Sequence, residues 1–207
     1  MKFSDFNVKN IIFDLGGVIL TIDIKTTFGK FENLGLGNGL DGYHLINHNH
    51  VFKKYETGIF STHEFREELR KISSKQFSNQ EFDDLWNSII VGFPQENIEL
   101  LQSLKPHYRL FLMSNTNALH YDFYNDIIQQ QFNLNSLDDL FEKAYYSHLS
   151  KMRKPDPGFF ELILDENKLS PQETLFVDDF IENIEAASAL GIKTLHLTEK
   201  YRLNDFV

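Results

Sequence analysis

The sequence predicts an α/β fold: a doubly wound, Rossmann-like parallel sheet carrying an inserted all-helical cap. Three observations lead to that expectation. Five short apolar runs recur along the chain, separated by stretches with helical apolar spacing. Short connections between them favour parallel strands joined by right-handed crossovers. One long segment, 22–94, breaks the rhythm with several helix-start signals and no convincing strand.

The first run is "NIIFDL" (10–15), a buried strand that enters a loop at Asp-x-Gly-Gly. "ENIELLQSLK" (96–105) has helical spacing and leads into "YRLFLMS" (108–114), a second strand that stops at Ser114. "ALHYDFYNDII" (118–128) reads as helix, "KAYYSH" (143–148) as a third strand and "PGFFELILDENK" (157–168) as helix again. "TLFVDD" (174–179) is a fourth strand ending in acids. "IENIEAASALG" (181–191) is a helix closed by Gly, and "KTLHL" (193–197) a fifth strand. In open sheets of this kind, chemistry collects at the carboxyl ends of the strands. Asp14, Ser114 and the pair Asp178-Asp179 fall at three of those ends. Residues 1–21 and 95–207 are expected to form this core, with 22–94 as a helical cap directly above the strand ends.

Within the insertion, Ser61-Thr62-His63-Glu64 and Ser78-Asn79-Gln80-Glu81 are capping-box patterns. Phe65, Leu69 and Ile72 fall on one helical face, as do Phe82, Leu85, Trp86 and Ile89. Gly37-Asn38-Gly39-Leu40-Asp41-Gly42 matches the dinucleotide fingerprint G-x-G-x-x-G. That fingerprint needs a strand before it, and "GKFENLGL" is polar and Gly-containing, so a cap loop is the expected reading. His44, His48 and His50 lack an acid at helical spacing to complete a ligand set, and a solvated polar face is expected there.

Composition narrows the function. A chain of 207 residues with 42% apolar side chains, 20 Phe and 8 Tyr has ample core material for one domain with a sizeable insertion. A formal net charge of −10 argues against nucleic acid or anionic membrane as a partner. The absence of Cys excludes disulfides and thiolate metal sites. "MKFSDFNVKN" has no long apolar h-region, and no apolar run approaches the roughly 20 residues that cross a bilayer. A soluble, cytoplasmic protein acting on a small molecule is the expectation.

Four signals at the sheet edge each have an ordinary reading. Asp14 alone is a turn acid; Ser114 is a good N-cap for the next helix; Lys154 is a surface lysine before a Pro-rich helix start; Asp178-Asp179 cap "FIENIEAA". Together they are a nucleophile candidate, a hydroxyl, a lysine and an acid pair, in that order along one edge.

The stretches "IIFDLGGVI", "LFLMSN", "KMRKPDPGFF" and "TLFVDDFIENI" resemble the four ordered motifs of the haloacid dehalogenase-like hydrolases. "YETGIFSTHEFREEL" (55–69) is similar to the cap of the sugar-phosphatase members, the alpha-D-glucose 1-phosphate phosphatase-like branch. The resemblance implies a Mg²⁺-dependent phosphatase acting on a small phosphate ester. Asp14 would attack phosphorus and form an aspartyl-phosphate that water then hydrolyses. Mg²⁺ would be held by Asp14, the backbone carbonyl of Gly16, and Asp179, with Asp178 binding directly or through water. Ser114, Asn115 and Lys154 would bind the phosphate, Lys154 also neutralising its charge, and Asn183 would orient the acid pair. A glycine suits a strand end that offers a carbonyl to a metal and then turns sharply.

One departure stands out. Most phosphatases of this family carry a second Asp two residues after the nucleophile as general acid, and here that position is Gly16. General acid–base help is typically worth about 10²–10⁴-fold. An acidic anomeric hydroxyl as leaving group would tolerate the loss, which favours sugar 1-phosphates over 6-phosphates. A cap residue such as a histidine could supply the proton instead, or the protein is a poor catalyst. Two other readings compete: a 2-haloacid dehalogenase, whose halide leaves unprotonated, and a non-catalytic phosphometabolite-binding protein.

Overall fold

The computed structural model describes residues 2–36, 50–198 and 200–206. Its centre is a five-stranded parallel sheet built from β1 (Asn10–Phe13), β4 (Arg109–Ser114), β5 (Lys143–Tyr146), β6 (Thr174–Asp178) and β7 (Lys193–His196), in the order β5-β4-β1-β6-β7. The helices between them are α5 (Gln95–Leu104), α6 (Ala118–Phe132), the single turn α7 (Ser147–Ser150), α8 (Pro157–Asn167) and α9 (Ile181–Ala189). All five sheet strands expected from the apolar runs are present; β4 ends at Ser114 as expected, and the other four end a residue or two earlier than their runs. At the third, the chain turns into α7 at Ser147 instead of continuing to residue 148.

Side-chain alternation along the strands separates two cores. Ile11, Phe13, Leu110, Leu112, Leu175 and Val177 pack on one face with Ile98 and Leu101 of α5 and Tyr124 and Ile128 of α6. Ile12, Phe111, Met113 and Phe176 pack on the other with Phe159, Phe160 and Ile163 of α8 and Ile184 and Ala187 of α9. Helices therefore cover both faces, as the near-continuous apolar strands require. Among the described residues, no helix is long and apolar enough to cross a membrane.

The inserted segment supplies α1 (Ile24–Phe31), α2 (His50–Glu56), α3 (Thr62–Ile72) and α4 (Asn79–Asn87). Both capping boxes form: the Ser61 and Ser78 side chains accept from the backbones of Glu64 and Glu81, whose carboxylates reach back. Tyr55 stacks on Phe65 with centroids 4.1 Å apart, and Phe52, Phe82 and Trp86 close the cluster around them. Ile72 does not join this face. It is the last residue of α3, beyond the packed turn, and stays exposed.

A feature absent from the sequence reading ties the segment to the sheet domain. β2 (Thr21–Ile22) pairs antiparallel with β3 (Ile90–Gly92), and Asp23 N–H donates to the Ile89 carbonyl at 2.8 Å. Among the described residues, this short ribbon is the insertion's strand structure, formed where the chain leaves and returns. Gly37–Gly42, His44 and His48 lie outside the described residues; His50 opens α2 and is exposed.

Candidate active site

β1 runs in register with both neighbours, Phe13 lying opposite Leu112 and Val177. One residue further, Asp14 N–H donates to the Val177 carbonyl at 2.9 Å, which brings its side chain beside Asp178 at the end of β6. The chain then folds tightly, the Leu15 carbonyl accepting from Ile19 and Leu20 at 2.9 and 2.8 Å. Gly17 adopts φ +80°, and a Cβ on it would lie 2.3 Å from Asp179 Oδ2. The turn can approach Asp179 only because position 17 has no side chain.

Lys154, 2% exposed, reaches from the loop before α8 to join the acids. Its Nζ lies 2.5 Å from Asp14 Oδ1 and 2.7 Å from Asp178 Oδ2. Asn115 fixes it from behind: its Nδ2 donates to the Lys154 carbonyl at 3.0 Å and its Oδ1 accepts the Lys154 N–H at 2.8 Å. Asn183 Nδ2 donates to both Asp178 oxygens at 3.0 and 3.1 Å, and Phe180 N–H to Asp178 Oδ1 at 2.8 Å. Ser114 is buried at the end of β4. The cap of the following helix is not Ser114 but Asn117, whose side chain accepts from His120 N–H.

Asp14, Asp178 and Asp179 each place a carboxylate oxygen within 4.8 Å of the others. Burial raises Asp14 to about 6; the Asp178 charge adds to this and Lys154 opposes it. Burial, then the charges of Asp14 and Asp178, raise Asp179 to about 8. Burial would lower Lys154, but Asp14 and Asp178 outweigh it and hold the ammonium charged. Asp179 Oδ1 is buried and finds no hydrogen-bond partner among the described residues. Crowded hard-oxygen donors with one unsatisfied buried oxygen fit a divalent cation such as Mg²⁺.

A cavity of about 360 Å³ opens over this cluster. Its floor is Asp14, Ser114, Asn115 and Lys154; Ile22, Ile24, Ile89, Ile90 and Trp86 form an apolar wall, and Lys53, Glu56 and Arg153 a charged one. The sequence reading singled out none of the wall residues except Trp86 and Ile89, as one helical face of the insertion. Arg153 lies against Glu56, Nε to Oε2 at 3.1 Å, while Lys151 Nζ is bound to the Gly58 carbonyl at 2.6 Å. Glu56 lay inside the quoted "YETG" stretch, but nothing local marks it, because its partner is far along the chain.

Residues 11–197 match the family model of the haloacid dehalogenase-like hydrolases. The D-ribitol-5-phosphate phosphatase of Bacteroides thetaiotaomicron is 31% identical over 192 residues, covering 90% of either chain. The sesquiterpene phosphatase of Aspergillus oryzae is 49% identical over 61 residues, 30% of this chain and 31% of that one. A HAD family enzyme of B. thetaiotaomicron, crystallised with magnesium and inorganic phosphate, superposes with a TM-score of 0.83 at 30% identity, covering 96% of this chain and 98% of that one. An L-2-haloacid dehalogenase of Xanthobacter autotrophicus, 16% identical with a TM-score of 0.57 over 93% of this chain and 80% of that one, shares the fold. The chain belongs to the haloacid dehalogenase-like hydrolases.

Proposed function

We propose that this chain is a Mg²⁺-dependent phosphatase that cleaves a small sugar or polyol phosphate through an aspartyl-phosphate at Asp14. The observation that carries the reading is the buried cluster itself: three carboxylates within 4.8 Å, bound on one side by Lys154. Asp14, Asp178 and Asp179, with the Gly16 carbonyl, would hold Mg²⁺. When bound, the ion supplies Lewis-acid polarisation of the phosphate and cancels the repulsion between anionic ester and acids. Asp14 attacks phosphorus, and Lys154 neutralises the charge that gathers as it does so. Ser114 and the backbone N–H of Asn115 hold phosphate oxygens; the Asn115 side chain is committed to the Lys154 backbone and acts by placing that lysine. Asn183 holds Asp178. Residues 22–94 act as the cap over the core of 1–21 and 95–207, excluding water while the phosphoenzyme forms.

Two observations bear on the leaving group. Gly16 by itself favours an anomeric ester, a sugar 1-phosphate, which needs least help in departing. The similarity to a D-ribitol-5-phosphate phosphatase favours an ordinary primary-alcohol ester. Dehalogenation fits less well, since the unsatisfied Asp179 would then sit beside an anionic substrate with no cation to offset it. A purely binding role leaves unused the nucleophile geometry of Asp14 beside Lys154.

The test is phosphate release from D-ribitol 5-phosphate, glucose 1-phosphate and glucose 6-phosphate, with Mg²⁺ and with chelator, using Asp14→Asn as control. Metal-dependent turnover of at least one ester, lost in Asp14→Asn, is the expected result. Halide release from a 2-haloacid that persists in chelator would favour the dehalogenase-like reading, and ligand-dependent stabilisation without turnover the binding reading.

A further inference from the structure

We propose that Glu56, on α2 of the inserted segment, donates the proton to the departing alcohol, the role for which position 16 offers only glycine. The inference rests on the phosphatase reading above. Glu56 lines the same cavity as Asp14, Ser114 and Lys154. It is 7% exposed, and its Oε2 accepts no hydrogen bond among the described residues, although Arg153 Nε lies 3.1 Å away. A buried carboxyl oxygen without a hydrogen-bond donor, on a residue that lines a cavity over a nucleophile, is unfavourable unless something enters that cavity to use it.

The other proton carriers on the wall are committed elsewhere. His120 is bound at both ring nitrogens, Nε2 to the Trp86 carbonyl at 3.1 Å and Nδ1 to Asn117 Nδ2 at 3.1 Å. A carbonyl only accepts, so Nε2 carries the hydrogen and Nδ1 accepts. Lys154 is held by two acids, and Glu182 is exposed at the rim. Burial makes the Tyr124 phenol a weaker acid than an ordinary tyrosine.

Burial likewise raises Glu56, to about 7, with Arg153 and Lys53 opposing. That value suits an acid that must hold a proton near neutrality and release it to an alkoxide. Arg153, on the loop after α7, and Lys53, one turn earlier on α2, are the charges acting on it. The His148 ring packs against Tyr121 and Tyr146, and Lys151 Nζ donates to the Gly58 carbonyl.

The proton balance closes over one turnover. An Asp14 oxygen bonds to phosphorus as the ester P–O bond breaks, and the leaving oxygen takes the proton of Glu56, giving a free alcohol, aspartyl-phosphate and a Glu56 carboxylate. Water then bonds to phosphorus, the P–O bond to Asp14 breaks, and the proton lost by water returns to Glu56. The products are alcohol and hydrogen phosphate.

The test compares Glu56→Gln with the unaltered chain in single-turnover experiments with Mg²⁺. The glutamine keeps the shape of the protonated acid, and a thermal melt of each protein establishes folding. Two esters are used: D-ribitol 5-phosphate, whose alkoxide needs a proton, and p-nitrophenyl phosphate, whose phenolate does not. We expect alcohol release from the ribitol ester to fall about 10²-fold or more, with nitrophenolate release changed at most a few-fold. Equal loss on both esters, loss on neither, or a leaving-group-selective loss in Lys53→Met instead, overturns the assignment to Glu56. An unaltered chain that cleaves neither of these esters, nor glucose 1-phosphate or glucose 6-phosphate, overturns the phosphatase reading, and this inference with it.

Discussion

Gly17 sits at φ +80° with Asp179 Oδ2 2.3 Å from where a Cβ would lie, whereas a Cβ on Gly16 would meet only the tip of Ile22, at 3.3 Å. Both glycines were expected to serve the turn, but the structure separates them. Gly17→Ala should lose about 1–2 kcal/mol from the left-handed backbone alone and must also displace Asp179. Gly16→Ala needs only a small shift of a flexible side chain. Denaturant unfolding should therefore show a marked loss for Gly17→Ala and a small change for Gly16→Ala, together with weakened Mg²⁺ affinity in the former only. Equal losses would mean that Asp179 does not constrain position 17. Asp14 and Asp178 were legible as sequence because each closes an apolar run, and Lys154 through its place in the order of the four motifs. The Glu56–Arg153 contact was not, since it joins residues brought together only by the insertion folding back over the sheet.

Helix starts were the clearest elements of the insertion, because a capping box is a local code: hydroxyl, two residues, carboxylate. Ser61→Ala removes the Oγ that accepts Glu64 N–H at 3.2 Å and should cost about 1 kcal/mol in chemical denaturation. The β2–β3 ribbon carries no such code. Its strands are two and three residues long, too short for alternation to show. The contact between α4 and α6 was equally hidden: Trp86 stacks on His120 at 4.6 Å while Trp86 Nε1 donates to Asn117 Oδ1 at 3.4 Å. This contact makes the insertion's attachment sensitive to acid. Burial lowers His120 from 6.5 to about 4, so the folded state keeps it neutral while the unfolded chain takes up a proton below 6.5. The stability involved is present above pH 6.5 and is lost as pH falls toward 4, about 3 kcal/mol. His120→Gln should flatten that part of the stability–pH curve. An unchanged slope between pH 6.5 and 4 would place the acid sensitivity in another group.

At the scale of the whole molecule, the sheet could be read in advance because strands buried on both faces are continuous apolar runs, and their carboxyl ends define where polar chemistry can gather. Which charges gather there then sets an electrostatic demand on a chain that already carries a net −10. Acting together as metal ligands, Asp14, Asp178 and Asp179 must all be ionised, and against Lys154 that leaves two uncompensated negative charges in the buried cluster. A divalent cation matches that excess, so folding and metal binding should be linked. Magnesium at about 100 times its dissociation constant would stabilise the fold by about 2.7 kcal/mol. Asp179→Asn removes one ligand and also relieves the repulsion that burial intensifies. In chelator, this variant should melt above the unaltered chain. With Mg²⁺ the order should reverse or close, because only the unaltered chain gains from the metal. Scanning calorimetry with and without Mg²⁺ separates the two effects. An equal Mg²⁺ shift in both proteins would put the bound metal somewhere other than the end of β6, and would leave the unsatisfied oxygen of Asp179 without a physical account.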